Sequence, residues 1–579
     1  MPTPLDTANA LIDQGKLEQA QAVALRGLAS SPNHAGLLAV LGFTTFALGD
    51  LARCEYYSRR LLELHPDHPG ANANLGTVLM SQARFEEALA PLRRAVAAAP
   101  GDDVARTGLA SALSGLSRFT EARAVLEEGL RLMPRSVHLR HSLPGVLHAM
   151  GRVEEALPLM GELAAEEGAT PNILQRWALM HTYAPGVSPA ALLEAHRKYA
   201  RLVEPASPPP RKELPATPPR PLRLGIISPD LRRHSVAHVV EPILEHLDRS
   251  RFRVTCYATF NSTDSVTERL RARADGWRQC GTMPDNAIAA AIRADGTDIL
   301  LDLATLTQGG RPLVLVQRPA PVAIGFAGYP ATTGMTSLDY RIVDSITDPP
   351  GTEAHSSEKL IRLDPCSTVY KPPGDLPEVS PLPALREGRV TFAAFSSLLK
   401  LNGPLIRLWS RVLAAVPRSR LILKHICMKD GAVRAEVVGR FMEAGAPAGS
   451  VEALPPIDDV KGHLAAYHQT DITLDTYPYN GTVTILESLL MGVPVISMAG
   501  EMTSSRMGLS LLSAAGLSDL CAHNEEEFVA KAAELAGNLD RLASLRAELR
   551  QRLLTSPLCD GAAYTRRFEE ALLSVYARP

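Results

Sequence analysis

Four stretches of this chain carry side chains suited to chemistry. In SPDLRRHSVAH, residues 228–238, His234 and His238 stand four apart beside Arg232 and Arg233. Histidine moves protons near neutral pH; a capping or core histidine is the alternative reading. In FAGYPATTG, residues 326–334, Gly328, Pro330 and Gly334 bend a loop around Tyr329. Its amides can face an acceptor or a phosphate, or the glycines simply build the loop. FSSLLK, residues 395–400, ends on Lys400 just before a helix. A lysine there neutralises a diphosphate leaving group as a point charge, or is a solvated surface lysine. The richest stretch is LDTYPYNGTVTILESLLMGVPV, residues 474–495. A strand runs into Asn480-Gly481, and Thr482, Val483 and Thr484 then open a helix. Free amides at a helix start suit phosphate oxygens. Glu487, one turn in, suits ribose hydroxyls. Ordinary helix capping covers part of this pattern but not the tight return through GVPV.

The elements around these stretches divide the chain. In the front third, Pro32, Pro66, Pro100 and Pro134 recur every 34 residues, with Gly168 next in phase. Ala20, Cys54, Ala88, Ala122 and Ala156 keep the same phase, as do Leu41, Leu75, Leu109 and Leu143. Gly15, Gly49 and Gly151 form a further column, with Ala83 and Ser117 between them. Glycine ends one helix of a pair and proline the next. This predicts about five tetratricopeptide units over 1–168, a stack of helix pairs with a concave face that holds a peptide or partner, or serves as a spacer or dimerisation arm. Residues 169–204 read as helical. PASPPPRKELPATPPRP, 205–221, has eight prolines and reads as an extended, semi-rigid linker.

Beyond it, LRLGIIS (222–228), RVTCYAT (253–259) and DILLDLATLT (298–307) alternate with helical runs, and VTFAAFS (390–396), RLILKHI (420–426), DITLDTYP (471–478) and VPVISMA (493–499) form a second series. Two such series predict two Rossmann-like lobes with ligands beyond the carboxyl ends of their strands. The expected segments are 1–168, 169–221, a first lobe 222–384, and a second lobe 385–579 that includes a C-terminal helix. No GxGxxG follows the first strand and no GxxxxGK[ST] occurs, which argues against dinucleotide oxidoreductases and P-loop NTPases.

Composition narrows the classes further. The formal net charge of −2 lacks the basic footprint of a nucleic-acid binder. No basic and apolar leader opens the sequence, and no run of about 18 uncharged apolar residues occurs. The scattered cysteines, Cys54, Cys256, Cys280, Cys366, Cys427, Cys521 and Cys559, include no CxxC. They fit free thiols in a reducing compartment, so the expected location is the cytoplasm, with no membrane span.

Residues 222–570 resemble the catalytic region of the O-linked N-acetylglucosamine transferase family, which includes SPINDLY-type fucosyltransferases and bacterial relatives. The resemblance runs in order through LRLGIISPDLRRHSVAH, DGTDILLDL, RPAPVAIGFAGYPATTG, LDY, SEKLIRL, FSSLLK, LDTYPYNG, LESLLMGVPV, SSRMGLSLL and SPLCD. It implies a GT-B fold behind the α-solenoid, and an inverting transfer of sugar from a nucleotide donor, a UDP-sugar first, to Ser or Thr of a protein, with no metal or other cofactor. It implies an active-site role for His234, with His238, Tyr329 and Pro330 on acceptor-side loops. Ser397, Lys400, Thr482, Val483, Thr484 and Glu487 are implied on the donor side, with His463 near the base and Arg506 in a neighbouring segment. Relatives of this layout are associated with protein acceptors such as flagellin, and the repeats leave room for an oligomer.

The pattern also departs from the family. Thr305-Leu306-Thr307 stands where bacterial relatives often have GHT. Phe395-Ser396-Ser397 replaces FNx, and Thr482-Val483-Thr484 a fuller threonine run. These changes surround the donor pocket and leave the sugar open, including a fucose or nonulosonate donor. At the repeat position where animal enzymes carry an asparagine ladder, the residues are Asp6, Val40, Asn74, Gly108 and Ser142. A degenerate scaffold that only organises partners is the reading from another class; retention of His234, Lys400 and Glu487 argues against it.

Overall fold

The computed structural model describes residues 2–211, 221–457 and 459–576. It divides into two compact units, Met1–Met150 with Ile426–Arg434, and Gly151–His425 with Ala435–Pro579.

The first unit is a run of helix pairs in which the 34-residue phase is kept. One helix of each pair is Ala35–Ala47, Pro69–Ser81, Asp103–Gly115 or Val137–Ala149; the other is Leu17–Ser30, Leu51–Leu64, Phe85–Ala98 or Phe119–Leu132. Each helix of the first set starts at an in-phase cap. The side chains of His34, His68, Asp102 and Ser136 accept from the amide three residues on. Ala20, Cys54, Ala88 and Ala122 are fully buried between helices, where only a small side chain fits. The turn column has a backbone reason. Gly15 (φ 72°), Gly49 (φ 77°) and Gly151 (φ 72°) lie in the left-handed region, and so do Ala83 (φ 58°) and Ser117 (φ 62°). A side chain there is strained.

The second unit opens with the helices Val153–Ala165, Pro171–His181 and Pro189–Val203. The compact division therefore falls at Met150, not at residue 168. Within this unit Glu154 accepts from the amide of Gly403 at 2.6 Å, Arg152 pairs with Glu436 at 2.8 Å, and Arg440 donates to the carbonyl of Gly151 at 2.9 Å. Residues 205–211 are non-helical, and Arg211 donates to the carbonyl of Ser337 at 3.0 Å. The rest of the proline-rich linker, 212–220, lies outside the described residues.

The first lobe contains β1 (Leu222–Ser228), β2 (Phe252–Ala258), β3 (Gly276–Gln279), β4 (Ile299–Asp302), β5 (Val322–Gly325), β6 (Tyr340–Val343) and β7 (Lys359–Arg362). The second contains β8 (Thr391–Ala394), β9 (Arg420–Lys424), β10 (Val451–Leu454), β11 (Ile472–Leu474), β12 (Val495–Met498) and β13 (Cys521–Ala522). The sheet orders are β3-β2-β1-β4-β5-β6-β7 and β10-β9-β8-β11-β12-β13. Every pairing is parallel; Ile226 sits opposite Cys256 on one side and Leu301 on the other. Strand order reverses beside β1 in one sheet and beside β8 in the other, which fixes where each sheet opens a crevice. Leu222, Leu224, Ile226, Val254, Ile299 and Leu301 form the first-lobe core. The C-terminal helix Gly561–Tyr576 was expected with the second lobe. Instead its Tyr564, Phe568, Leu572 and Val575 pack into that first-lobe core, and Tyr564 donates to the carbonyl of Ser367 at 2.6 Å. Its apolar stripe finds a partner in the first sheet's outer helix layer.

Replacing Ala83 or Ser117 by glycine removes the left-handed strain at those turns. Each substitution is expected to stabilise the array by about 0.5–1 kcal/mol in chemical denaturation. A loss of stability in both variants would contradict this account of the column.

Candidate active site

The two loops that meet at the second lobe's switch point follow β8 and β11. After β8, Ser397 caps the short turn Leu398–Lys400 by accepting from the amide of Leu399. After β11 the chain runs through Asp475 to the helix Val483–Leu490. This second loop is fastened from below. Buried Asp475 accepts from the amide of Gly481 at 2.7 Å, the amide of Thr476 at 2.9 Å and the hydroxyl of Ser497 at 2.6 Å. Burial pushes its carboxyl up to about 6 against those hydrogen bonds. Buried Asn480 donates to the carbonyl of Thr476 at 2.8 Å, while Asn402 reaches across to the carbonyl of Tyr477 at 2.7 Å.

Lys400 crosses this crevice. Its Nζ donates to the carbonyl of Asn480 at 2.8 Å and lies 4.1 Å from the ring centroid of Tyr479. Burial pushes its pKa down to about 8, opposed by Asp475. The Tyr479 ring is stacked on Tyr183 at 4.8 Å. Tyr183 follows the helix Pro171–His181, so the helical extension supports the lysine from behind. The carbonyl of Asn480 is two residues before Thr482, which precedes Val483 and Thr484 at the start of the helix. Thr482 makes no side-chain cap, so the first-turn amides keep the donors that an intrahelical ladder cannot use. A cation bonded two residues before a helix start with free amides is a combination suited to an anion.

Further along the same helix, Glu487 Oε2 lies 3.2 Å from His463 Nε2. On the other side of the ring, Lys424 Nζ lies 2.9 Å from His463 Nδ1 and 4.2 Å from the ring centroid of Phe395. Burial also pushes Lys424 down to about 8. Lys424 escaped sequence reasoning, as did Asp475, Tyr479 and Asn402. The signal available was positional: each stands at or just past a carboxyl strand end of the second sheet, or caps the next helix.

In the first lobe, His234 lies on the loop after β1 with a 42% exposed side chain. Its Nδ1 accepts from the amide of Val236 at 3.3 Å and stands 3.7 Å from Asp230 Oδ1. Burial holds its pKa below the usual histidine value; Asp230 opposes the shift, and Arg232 and His238 add to it. With Nδ1 accepting, the neutral ring carries its proton on Nε2 and offers a donor. His238 is turned elsewhere, with Nδ1 bonded to the carbonyl of Lys371 at 3.0 Å and its ring against Tyr370. Tyr329 is buried and gives its hydroxyl to His196 of the helix Pro189–Val203. Pro330, next to it, is half-buried. Gly334 (φ 72°) passes so close to that helix that a Cβ would lie 2.4 Å from the carbonyl carbon of His196. The FAGYPATTG loop therefore docks the helical extension.

Arg506 lies on the seam between the lobes. Its Nε donates to the carbonyl of Ile346 at 2.6 Å and its Nη1 to the carbonyl of Gly500 at 3.0 Å. Beside it, Thr503 bonds both Arg341 and Asp348, and Ser510 donates to Asp344 at 2.9 Å. The structure thus sets Ser397 and Lys400 on the loop after β8, with Lys400 against the loop that leads into Thr482, Val483 and Thr484, and sets His463 against Glu487 on the helix that follows. It leaves His238 and Tyr329 in packing roles. Among the described residues, no group of three His, Cys, Asp or Glu is arranged to hold a metal ion.

This arrangement defines a protein of tetratricopeptide helices followed by two Rossmann-like lobes of the GT-B kind, with a lysine and a helix start suited to an anion in the second. The chain belongs to glycosyl transferase family 41, whose model matches residues 210–369 and 382–568. Tetratricopeptide models match 79–143 and 46–103. A tomato (Solanum lycopersicum) relative, named a probable UDP-N-acetylglucosamine–peptide N-acetylglucosaminyltransferase SPINDLY, is 38% identical over 365 residues, 62% of this chain and 39% of its own. The Arabidopsis thaliana relative SEC, given the same enzyme name, is 29% identical over 68% of this chain and 42% of its own. The chain thus spans about two fifths of the length of the curated relatives it matches. A solved structure of a mutant Thermobaculum terrenum O-GlcNAc transferase aligns with TM-score 0.74 and 29% identity, covering 94% of this chain and 97% of that one.

The depressed pKa of Lys400 means that burial opposes its charge. That cost is fully present below about pH 8 and fades as pH rises toward the unfolded lysine value of 10.5. Lys400→Met is therefore expected to melt higher than the wild type at pH 7, with the gain shrinking above pH 8. Thermal melts across that range check it; a Met variant that melts lower at pH 7 would show that the lysine is net stabilising.

Proposed function

We propose that the chain is a protein O-glycosyltransferase, taking a sugar from a nucleotide-sugar donor, UDP-N-acetylglucosamine first, and placing it on Ser or Thr of a protein with inversion. The observation that carries this reading is Lys400. It is a part-buried ammonium with no carboxylate bonded to it among the described residues, at the uncapped start of the helix that also presents Glu487. A diphosphate supplies the missing negative charge. The names of the relatives in the same family support the substrate class.

In this mechanism the donor's diphosphate lies against Lys400 and the first-turn amides of Thr482 to Thr484, with the ribose toward Glu487. The acceptor hydroxyl oxygen attacks the anomeric carbon from the face opposite the diphosphate. The bond from that carbon to the phosphate oxygen breaks, and the electron pair leaves on the diphosphate, where Lys400 meets the growing charge. His234, from the first lobe, orients the acceptor or the sugar through its Nε2–H; the acceptor proton passes to solvent or to a base beside it. Ser397 shapes the turn that carries Lys400, and Arg506 holds the lobes in register. The repeat array is the holder of the protein acceptor.

The test is transfer to a candidate acceptor protein, read as an added sugar mass on the intact acceptor. Lys400→Ala is expected to lose about 10²–10³ in turnover, and wild-type activity in a folded Lys400→Ala protein would remove the lysine from the reaction. His234→Ala is expected to keep nucleotide binding and lose transfer; full transfer would make His234 a structural residue of the β1 loop.

A further inference from the structure

Lys424 has no task in the mechanism above, and its position is costly. It ends β9 behind buried Leu421, Ile422 and Leu423, and is itself only 4% exposed. An aliphatic residue would fill that space without burying a charge. Among the described residues no carboxylate lies within ion-pair distance of its Nζ. Its neighbours are His463 Nδ1 at 2.9 Å, the carbonyl of His463 at 3.3 Å and the face of Phe395 at 4.2 Å. On the other side of the imidazole, Nε2 lies 3.2 Å from Glu487 Oε2.

These contacts fix the direction of a hydrogen-bond chain. An ammonium has donors and no lone pair, so His463 Nδ1 must be the acceptor. A neutral imidazole then carries its one proton on Nε2, which faces Glu487 Oε2 at 3.2 Å. We propose that Lys424 is a positioning residue of the nucleotide pocket: it locks His463 in the Nε2–H tautomer, so that the ring clamps one oxygen of Glu487 and leaves the other to accept from the ribose diol. The inference rests on the reading of this pocket as a nucleotide site. The need for it follows from the free rotation of a glutamate: without a donor behind it, Glu487 samples several rotamers and loses preorganisation toward the two hydroxyls. The low-dielectric surroundings strengthen each bond of the chain.

The experiment uses the full chain labelled with ¹⁵N-histidine, with the His463 ring signals assigned by their loss in His463→Gln. In the wild type they are expected to show the Nε2–H pattern. In Lys424→Met that pattern gives way to mixed tautomers, and UDP binds about tenfold more weakly by calorimetry, as for loss of a hydrogen bond involving a charged group. Donor KM rises with kcat much less affected. Lys424→Arg, which keeps a donor, is expected to restore the tautomer and most of the affinity. Lys424→Leu, which also lacks a donor, takes the place of the Met variant if the latter does not fold. A Met or Leu variant that keeps both the wild-type ring signals and a UDP affinity within twofold overturns the proposal. Failure of the wild type to bind UDP or GDP would instead overturn the nucleotide-site reading, while the ring signals still decide whether Lys424 sets the tautomer.

Discussion

A part-buried ammonium with a carbonyl and an aromatic face for company is the constraint around which the second lobe is arranged. Lys400 has lost water without gaining a direct carboxylate, and burial depresses its pKa accordingly. Such a group is tolerable only if its surroundings hold it rigidly. The loop from Asp475 to Gly481 does so: a buried carboxylate bonds two of the loop's amides, and Asn480 turns its own carbonyl toward the lysine. Loosening that loop would let Lys400 swing to solvent and would scatter the helix start that follows it.

The same logic explains why helices outside the lobes belong to their compact unit. Tyr183 backs Tyr479, His196 receives the Tyr329 hydroxyl, and Glu154 accepts at the start of the helix after Lys400. The glycine at position 334 exists for the close backbone approach to the helix Pro189–Val203. Two lobes must also keep a fixed register if groups from both are to meet one substrate. The polar seam of Arg341, Asp344, Asp348, Thr503, Arg506 and Ser510 gives that register through directional bonds, which hold geometry more tightly than apolar contact does.

Family membership and geometry bear on different questions. The family model and the 0.74 structural alignment speak for the arrangement of repeats and lobes. Neither describes local backbone detail, such as Thr305 (φ 42°), Leu306 and Thr307 in the turn after β4. A β-branched residue with that backbone is strained.

What the sequence determined by itself was whatever repeats or whatever local chemistry dictates. The 34-residue columns fixed helix pairs, because proline, glycine and small buried residues act through backbone and packing rules that need no distant partner. The long apolar strands such as β1 were legible for the same reason, and so was the local sequence from Asn480 to Glu487, where a helix start and a carboxylate are near neighbours. The edge strands β3 and β7 were not legible. β3, with the sequence GWRQ, and β7, KLIR, are four-residue edge strands with polar side chains, so they lack an apolar signature and exist by pairing with β2 and β6. Only tertiary structure returned the C-terminal helix to the first lobe, turned His238 and Tyr329 into packing, and set Lys424 behind His463. Those outcomes depend on residues far apart in the chain competing for the same burial and the same hydrogen bonds, which no local pattern records.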